Sequence, residues 1–206
     1  MPLGILGNKI GMSQIFDKFD NVIPVTLIKT DTCIITQIKN ISTDGYNAIQ
    51  VGYKNCKQSS INKPQKGHLK NLDYNLKYLK EFKVKNIDSF KLHQEIDLTL
   101  FKEDIFVNIQ ANSSGKGFSG LQKRHNFKRG PMTHGSKNHR APGSIGMGTS
   151  PGRVFPGKKM AGQLGNNLKT IKKVKIIKID NEKNFLIVKG SIPGKPGNLV
   201  KITQIK

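Results

Sequence analysis

The chain has 206 residues and a formal net charge of +22, with 35 lysine or arginine residues against 13 acidic ones. Only 35% of the residues are hydrophobic, which is low for one compact globule, and the length allows one or two domains. No apolar run is long enough to span a membrane and no signal or transit peptide opens the sequence, so we expect no membrane partner and function in the compartment of synthesis.

The first quarter of the chain reads as short β-strands joined by turns. Residues 22–28 and 33–38 are rich in β-branched side chains, which is typical of strands, and Pro24 indicates an edge strand or a bulge. An Asp-Gly pair predicts a turn before a third strand at 46–53. Strands at this close spacing indicate a small antiparallel barrel.

The next segment, 57–95, is predicted to be a small insertion of helix and loop. Residues 57–70 are polar and read as a loop, and residues 82–100 read as strand and loop. Four apolar residues at helical spacing predict a short helix at 71–80 whose apolar stripe covers the barrel. These four residues are Leu72, Leu76, Leu79 and Phe82.

Strands are predicted on both sides of a long basic stretch. One strand at 105–111 precedes the stretch, and three strands follow it at 174–179, 185–188 and 199–205. Because these strands need each other to complete a sheet, we predict a mainly β fold with a small antiparallel barrel. The barrel domain would comprise 1–111 and 170–206, and 112–169 would be an insertion that leaves the barrel and returns to it.

The basic stretch carries most of the charge. Residues 115–165 contain twelve glycines, ten lysines or arginines and three histidines, and no aspartate or glutamate. No hydrophobic period runs through them, so the stretch cannot bury a face of its own. Its cations recur in small groups between glycines and prolines, so the chain can follow a curved polyanion. We therefore expect it to fold only on a partner.

A nucleic-acid backbone is the partner that this charge predicts. Each phosphate that a lysine or arginine neutralises releases a condensed counterion, which favours binding. An anionic membrane also attracts cations, but the stretch has no amphipathic apolar face to insert. Fifteen cations without one acidic neighbour at 105–179 would repel each other if they merely faced solvent.

Patterns that would indicate an enzyme or a cofactor are incomplete. Residues 115–120 match G-x-G-x-x-G, but no acidic residue follows until Asp180, where a dinucleotide site needs one after about 20 residues. Residues 7–9 lack the spacing of a phosphate loop. His125, His134 and His139 have no carboxylate or thiolate at metal-ligand spacing. We predict no catalysis, cofactor, metal or small-molecule substrate.

Three aromatic residues lie among the cations. Phe118, Phe127 and Phe155 each stand beside or near a lysine or an arginine. Such a ring can cover an unstacked base while the neighbouring cation meets its phosphate. The alternative is local packing at the base of the insertion, and the sequence leaves both interpretations open.

Several motifs in a fixed order resemble one known family. They begin with LGILGNKIGMSQIF at 3–16 and continue with KGFSG at 116–120. GPMTHGS at 130–136, HRAPGSIG at 139–146 and PGKKMAG at 156–162 follow. Together they resemble the universal ribosomal protein L three family in its bacterial and plastid form, over essentially the whole chain.

The resemblance implies a barrel of the translation-protein type at the ribosome surface. The globular part of the family binds 23S ribosomal RNA near its 3′ end and helps to nucleate assembly of the large subunit. The extension reaches toward the peptidyl-transferase centre without performing its chemistry. The implied partners are therefore 23S ribosomal RNA and neighbouring large-subunit proteins.

The resemblance also assigns RNA contact to residues of the stretch. The extension tip is expected around 143–151, with the residues Gly143, Ser144, Ile145, Gly146, Met147, Gly148 and Thr149. The expected RNA-binding residues are Lys116, Lys123, Arg124, His125, Lys128, Arg129, His134, Lys137, His139, Arg140, Arg153, Lys158 and Lys159.

Residue usage bears on where the protein works. Cys33 and Cys56 are too few for a disulfide framework, so buried free thiols in a reducing compartment are expected. Lysine outnumbers arginine by 31 to 4, which indicates an AT-rich genome. The pattern GSIGMGTSPGRV at 143–154 and the segment 46–53 resemble cyanobacterial or plastid members of the family. Together with the AT-rich signal, this resemblance implies a ribosome in the plastid stroma, with a bacterial cytoplasm as the alternative.

Two other functional classes stay open. A DNA-binding architectural protein would also be basic and rich in glycine, but it should carry a dimerisation element and paired arms. A nucleotide-dependent enzyme would have to use the loop at 115–120. Neither class has a second supporting pattern in the sequence.

Overall fold

The computed structural model of the protein describes residues 4–70, 72 and 74–205. Leu3, at the start of the first family motif, and Asn71 and Asp73, within the predicted helix, lie outside the described residues. The chain divides into two compact units, the first formed by Met1–Asn112 with Leu168–Lys206 and the second by Ser113–Asn167.

Strands make up most of the regular secondary structure of the described residues. The three α-helices are α1 (Ile41–Asp44), α2 (Lys63–His68) and α3 (Leu121–His125), and no helix in the described part of the chain is long and apolar enough to cross a membrane. The strands are β1 (Gly4–Phe16), β2 (Val22–Lys29), β3 (Cys33–Lys39), β4 (Ala48–Asn55), β5 (Leu76–Lys83), β6 (Glu95–Ile96), β7 (Phe106–Asn112), β8 (Phe118–Ser119), β9 (Gly162–Gln163), β10 (Leu168–Asp180), β11 (Phe185–Lys189) and β12 (Leu199–Gln204).

Six of these strands close into an antiparallel barrel in the order β1–β12–β7–β10–β11–β2, which confirms the predicted fold class. Closure gives every strand two neighbours, so β2 is not the edge strand that Pro24 suggested. Pro24 lies one residue beyond the last β2–β11 pair, Val25 with Lys189, so its missing N–H costs no bond of that ladder. Where β7 ends and β10 begins, Asn112 pairs directly with Leu168.

A second sheet, in the order β5–β4–β3–β6, corrects the sequence-based assignment of β3 and β4 to the barrel. Its buried residues, among them Ile35, Tyr53 and Phe82, belong to the same hydrophobic cluster as the barrel interior. A Cβ on Gly4 would overlap the Phe82 ring and the carbonyl oxygen of Ile202. Glycine is therefore required where β1 passes this sheet.

The helix predicted at 71–80 is wrong, because β5 occupies its second half and pairs with β4 from Leu76 opposite Asn55 to Lys83 opposite Ala48. Short apolar runs do not distinguish helix from strand by spacing alone, and here the free side of β4 supplies a hydrogen-bonding partner. Leu72 and Leu79 are partly buried and pack against a small hydrophobic cluster that contains Leu76.

The loop predicted at 57–70 contains a short helix, α2. Its N-terminus is a capping box in which the Asn62 side chain accepts from the backbone of Gln65 and the Gln65 side chain accepts from the Asn62 backbone. Pro64 lies in the first turn, where its missing N–H has no partner to lose. This Asn-x-x-Gln signal was present in the sequence.

The two cysteines are free thiols in different surroundings. Cys33 is fully buried, and this burial raises the pKa of its thiol to about 12. Cys56 is only half-buried, and its Sγ lies 3.2 Å from the carbonyl oxygen of Asn75. The expectation of a buried thiol is therefore met by Cys33 but not fully by Cys56.

Lys9 is a buried cation that the sequence did not single out. Its Nζ donates hydrogen bonds of 2.8 Å to the carbonyl oxygens of both Ile192 and Gly194, and only 7% of the residue is exposed. Burial lowers the pKa of its ammonium group. Residues 7–9, which lack the spacing of a phosphate loop, therefore connect β1 through Lys9 to the turn that precedes β12.

Replacing Lys9 by methionine should destabilise the first unit. The change keeps the length of the side chain but leaves two buried carbonyl oxygens without their donor, and we expect a loss of about 1–3 kcal/mol in unfolding free energy. Urea unfolding followed by circular dichroism measures it. The exposed Lys18→Met change is the control, and equal midpoints for the two variants would contradict this role.

Candidate nucleic-acid interface

The second unit, Ser113–Asn167, has positive charge without any acidic counterpart. It holds ten lysine or arginine residues, including all four arginines of the chain, and no aspartate or glutamate. In the part of the chain that the structure describes, the three ion pairs Lys29–Asp31, Lys39–Glu81 and Lys175–Asp104 all belong to the first unit. The cations of the second unit are therefore available to an external anion.

This unit also lacks a hydrophobic core. Among its 55 residues, all of them described, only Ser119 and Leu121 are buried. Its regular structure is limited to the two-residue strands β8 and β9, which pair with each other, and to the five-residue α3. Its conformation therefore depends on hydrogen bonds and close backbone approaches instead of apolar burial.

The loop at 115–120 is stabilised by a second stretch of backbone. The N–H of Lys116 donates to Leu164 at 2.8 Å, and the N–H of Leu164 donates to Gly117 at 2.9 Å. Gly117 has a φ of +66°, and a Cβ on Gly165 would overlap the carbonyl oxygen of Ser114. Gly117 therefore serves a tight turn, and Gly165 allows a close approach between two backbone segments of the chain.

The end of α3 is tied to Met160. The Arg124 guanidinium donates to the Met160 carbonyl oxygen at 2.6 Å, and Nε2 of His125 lies 3.1 Å from the same oxygen. The Arg124 side chain also lies where a Cβ on Gly162 would be. Arg124 and His125 are thus half-buried and hold the unit together, although the guanidinium keeps further donors for a ligand.

The segment 130–140 folds back on itself and on α3. The N–H of Gly130 donates to the carbonyl oxygen of His139 at 3.0 Å, and Nδ1 of His139 lies 2.8 Å from the Pro131 oxygen. Nε2 of Gln122 donates to the carbonyl oxygen of Arg140 at 3.1 Å. His139 therefore has a structural contact, and Gln122 is a positioning residue that sequence reasoning missed.

The remaining sequence-predicted residues fall into two sets. The structure brings Lys123, Lys128, Arg129 and Arg140 together in one groove around Phe127. The other exposed residues do not line this groove: Lys116, His134, Lys137, Arg153, Lys158 and Lys159.

Every residue of the expected tip, from Gly143 to Thr149, is exposed, although Ile145 is exposed by only 39%. Ser144 Oγ donates to the carbonyl oxygen of Gly146 at 3.0 Å, which closes a small turn. Arg153 lines the same shallow depression as the tip, and its guanidinium lies 5.9 Å from the ring centre of Phe155. The tip thus offers backbone groups and one stacked cation to a partner.

The three aromatic rings of the unit are exposed to different extents: 80% for Phe118, 49% for Phe155 and 37% for Phe127. None belongs to a hydrophobic cluster of the described residues. This exposure favours the stacking interpretation over local packing for Phe118 and Phe155. Phe127 has one neighbouring ring, His125, at 6.2 Å between ring centres.

Replacing Gly130 by alanine should weaken RNA binding without affecting the barrel. Its Cβ would overlap the backbone oxygen of Asn138, so the contact between Gly130 and His139 must open. A loss of about 1.4 kcal/mol corresponds to an affinity about tenfold lower at fixed salt. Filter binding to RNA measures it.

Gly67→Ala is the control, because no atom lies within 4 Å of its Cβ position and it belongs to α2, outside the basic unit. We expect its affinity to equal that of the unchanged protein. If both variants bind RNA equally well, the fold-back at Gly130 is not part of the binding form.

Comparison with known proteins agrees with these observations. The ribosomal protein L3 family model matches residues 79–184. Large ribosomal subunit protein uL3c of Phaeodactylum tricornutum (strain CCAP 1055/1) is 61% identical over 203 residues, which cover 98% of both chains. The uL3c of Cyanophora paradoxa is 56% identical over 207 residues, covering 100% of this chain and 99% of its own.

A cyanobacterial protein also matches over nearly the full length of this chain. Large ribosomal subunit protein uL3 of Prochlorococcus marinus (strain MIT 9515) is 55% identical over 203 residues, covering 98% of this chain and 94% of its own. Identity at this level over nearly the full length confirms the resemblance that the motifs indicated. The chain belongs to the ribosomal protein L3 family.

Proposed function

We propose that this chain is a structural constituent of the large ribosomal subunit and that Ser113–Asn167 is its main contact with 23S ribosomal RNA. The observation that carries the proposal is the charge of this unit, ten cations with no acidic residue and no hydrophobic core. Phosphates supply the missing counter-charge, and RNA surfaces supply the packing that the unit lacks. The names of the relatives, all large ribosomal subunit proteins, support the same assignment.

The two parts of the chain have different tasks in this proposal. The globular domain, 1–111 and 170–206, binds near the 3′ end of 23S ribosomal RNA and helps to nucleate assembly. The extension, 112–169, enters the RNA and carries its tip, 143–149, toward the peptidyl-transferase centre. The closed barrel supports the first task, because it has its own buried core, and the exposed tip supports the second.

RNA is favoured over DNA as the nucleic acid. A DNA-architectural protein typically presents paired arms from a dimer, whereas here a single basic segment lies between two barrel strands of one chain. The glycine-rich segment with spaced aromatic rings fits the irregular surface of folded RNA, where bases are unstacked.

The ribosome in question is proposed to be that of a plastid. The excess of lysine over arginine, 31 to 4, supports an AT-rich genome. The uL3c proteins of Phaeodactylum and Cyanophora support this choice, and the cyanobacterial uL3 keeps a bacterial ribosome as the second candidate. Neighbouring large-subunit proteins complete its set of partners.

Sedimentation of a native lysate tests the assignment. After a high-salt wash, the chain should remain with the large-subunit peak of a sucrose gradient. A protein held by many phosphate contacts at once dissociates slowly, because all of these contacts must break together. Mass spectrometry of the fractions follows it. A chain that runs free, or that sediments with DNA, would overturn the proposal.

Charge at Lys158 and Lys159 should determine part of the salt dependence of RNA binding. Replacing both by glutamine removes two exposed cations, and the slope of log affinity against log salt should fall by about 0.7–0.9 per lysine. Replacing both by arginine keeps the charge and should keep the slope. Titrations of ribosomal RNA at several salt concentrations measure it, and an unchanged slope in the glutamine variant would show that these lysines contact no phosphate.

A further inference from the structure

The groove around Phe127 is more specialised than a basic surface. Four cations line it together with Phe127, which is 37% exposed. Gln122 completes the lining and donates to the carbonyl oxygen of Arg140. The four cations are Lys123, Lys128, Arg129 and Arg140.

The walls of this groove are held in place by hydrogen bonds. The Gln122–Arg140 bond connects α3 to the returning segment, and the Gly130–His139 bond closes that segment at its base. On the other side, the His125 ring is tilted by 50° against Phe127 and is fixed by the Met160 carbonyl oxygen. The ring of Phe127 is therefore held in place from one side and open to the groove.

The chemistry of the groove selects its ligand. A free inorganic anion would use the four cations but not the ring, and an apolar ligand would use the ring but not the cations. A nucleotide uses both, because its base stacks on an aromatic face while its phosphates pair with cations. A fully paired duplex has no free base face to offer, so the nucleotide must be unstacked.

We propose that this groove takes one unstacked nucleotide of the RNA, with its base on Phe127 and its flanking phosphates against Lys123, Lys128, Arg129 and Arg140. This inference rests on the proposed RNA-binding function and adds a site of defined chemistry to it. Phe118 and Phe155 lie outside this groove. Phe19, which is 84% exposed in the first unit, is the control ring.

The test compares two RNA hairpins that differ by one nucleotide. One hairpin is fully paired, and the other carries a single unpaired 4-thiouridine. Stacking of one base is worth about 1–3 kcal/mol, so the full chain should prefer the bulged hairpin by about 5- to 150-fold. Irradiation should attach the 4-thiouridine to the peptide that contains Phe127.

Substitutions then assign the preference to the ring. Phe127→Leu should abolish the preference and leave affinity for the paired hairpin unchanged, whereas Phe127→Tyr, which keeps a ring, should retain the preference. Phe19→Leu, which removes an exposed ring of the first unit, should also retain it. If Phe127→Leu and Phe127→Tyr weaken both hairpins equally, or if the cross-link falls on another peptide, the nucleotide site is wrong.

Failure of the site and failure of the function give different results. Salt-sensitive binding to both hairpins without any preference would overturn the nucleotide site and leave the RNA-binding function intact. No binding to either hairpin by the unchanged protein would contradict the proposed function itself.

Discussion

Uncompensated positive charge is the constraint on which the rest of this structure depends. Ten cations share the second unit with no carboxylate, so their mutual repulsion must be relieved from outside. A segment of this kind cannot form a hydrophobic core, because cations and glycines occupy the positions that apolar residues would need. The folding free energy of the free chain must therefore come from the other unit, where a closed barrel and a second sheet share one buried cluster.

Much of the first unit could be predicted from the sequence because β-branched runs identify its strands. The runs at 22–28, 105–111 and 185–188 all lie in barrel strands. What could not be predicted is which strands share a sheet, since β3 and β4 have the same local pattern but pair outside the barrel. The stripe around Leu76 failed for a related reason. Its spacing fits a helix. The segment forms a strand because the unpaired side of β4 offers it backbone hydrogen bonds.

The candidate site shows a similar division. Its cations and their lack of acidic neighbours are visible in the sequence, and so are the motifs of the family. Membership of a ribosomal protein family also confirms the prediction that the chain is not an enzyme. The sequence could not separate cations that bind the chain itself from those that face outward. Arg124 and His125 meet Met160, 35 or more residues away, and such a closure leaves no local pattern.

The pair formed by Asn112 and Leu168 limits how far the basic segment can extend. Both ends of its 55 residues start from one rung of the barrel ladder, so the chain must return to the point that it left. Its reach is therefore at most half its contour length, roughly 90 Å for about 27 fully extended residues in each direction. A cleft that receives the segment must therefore admit its outgoing and returning halves side by side. In the proposed function, a segment tethered at both ends enters the RNA as a loop, without threading a free end.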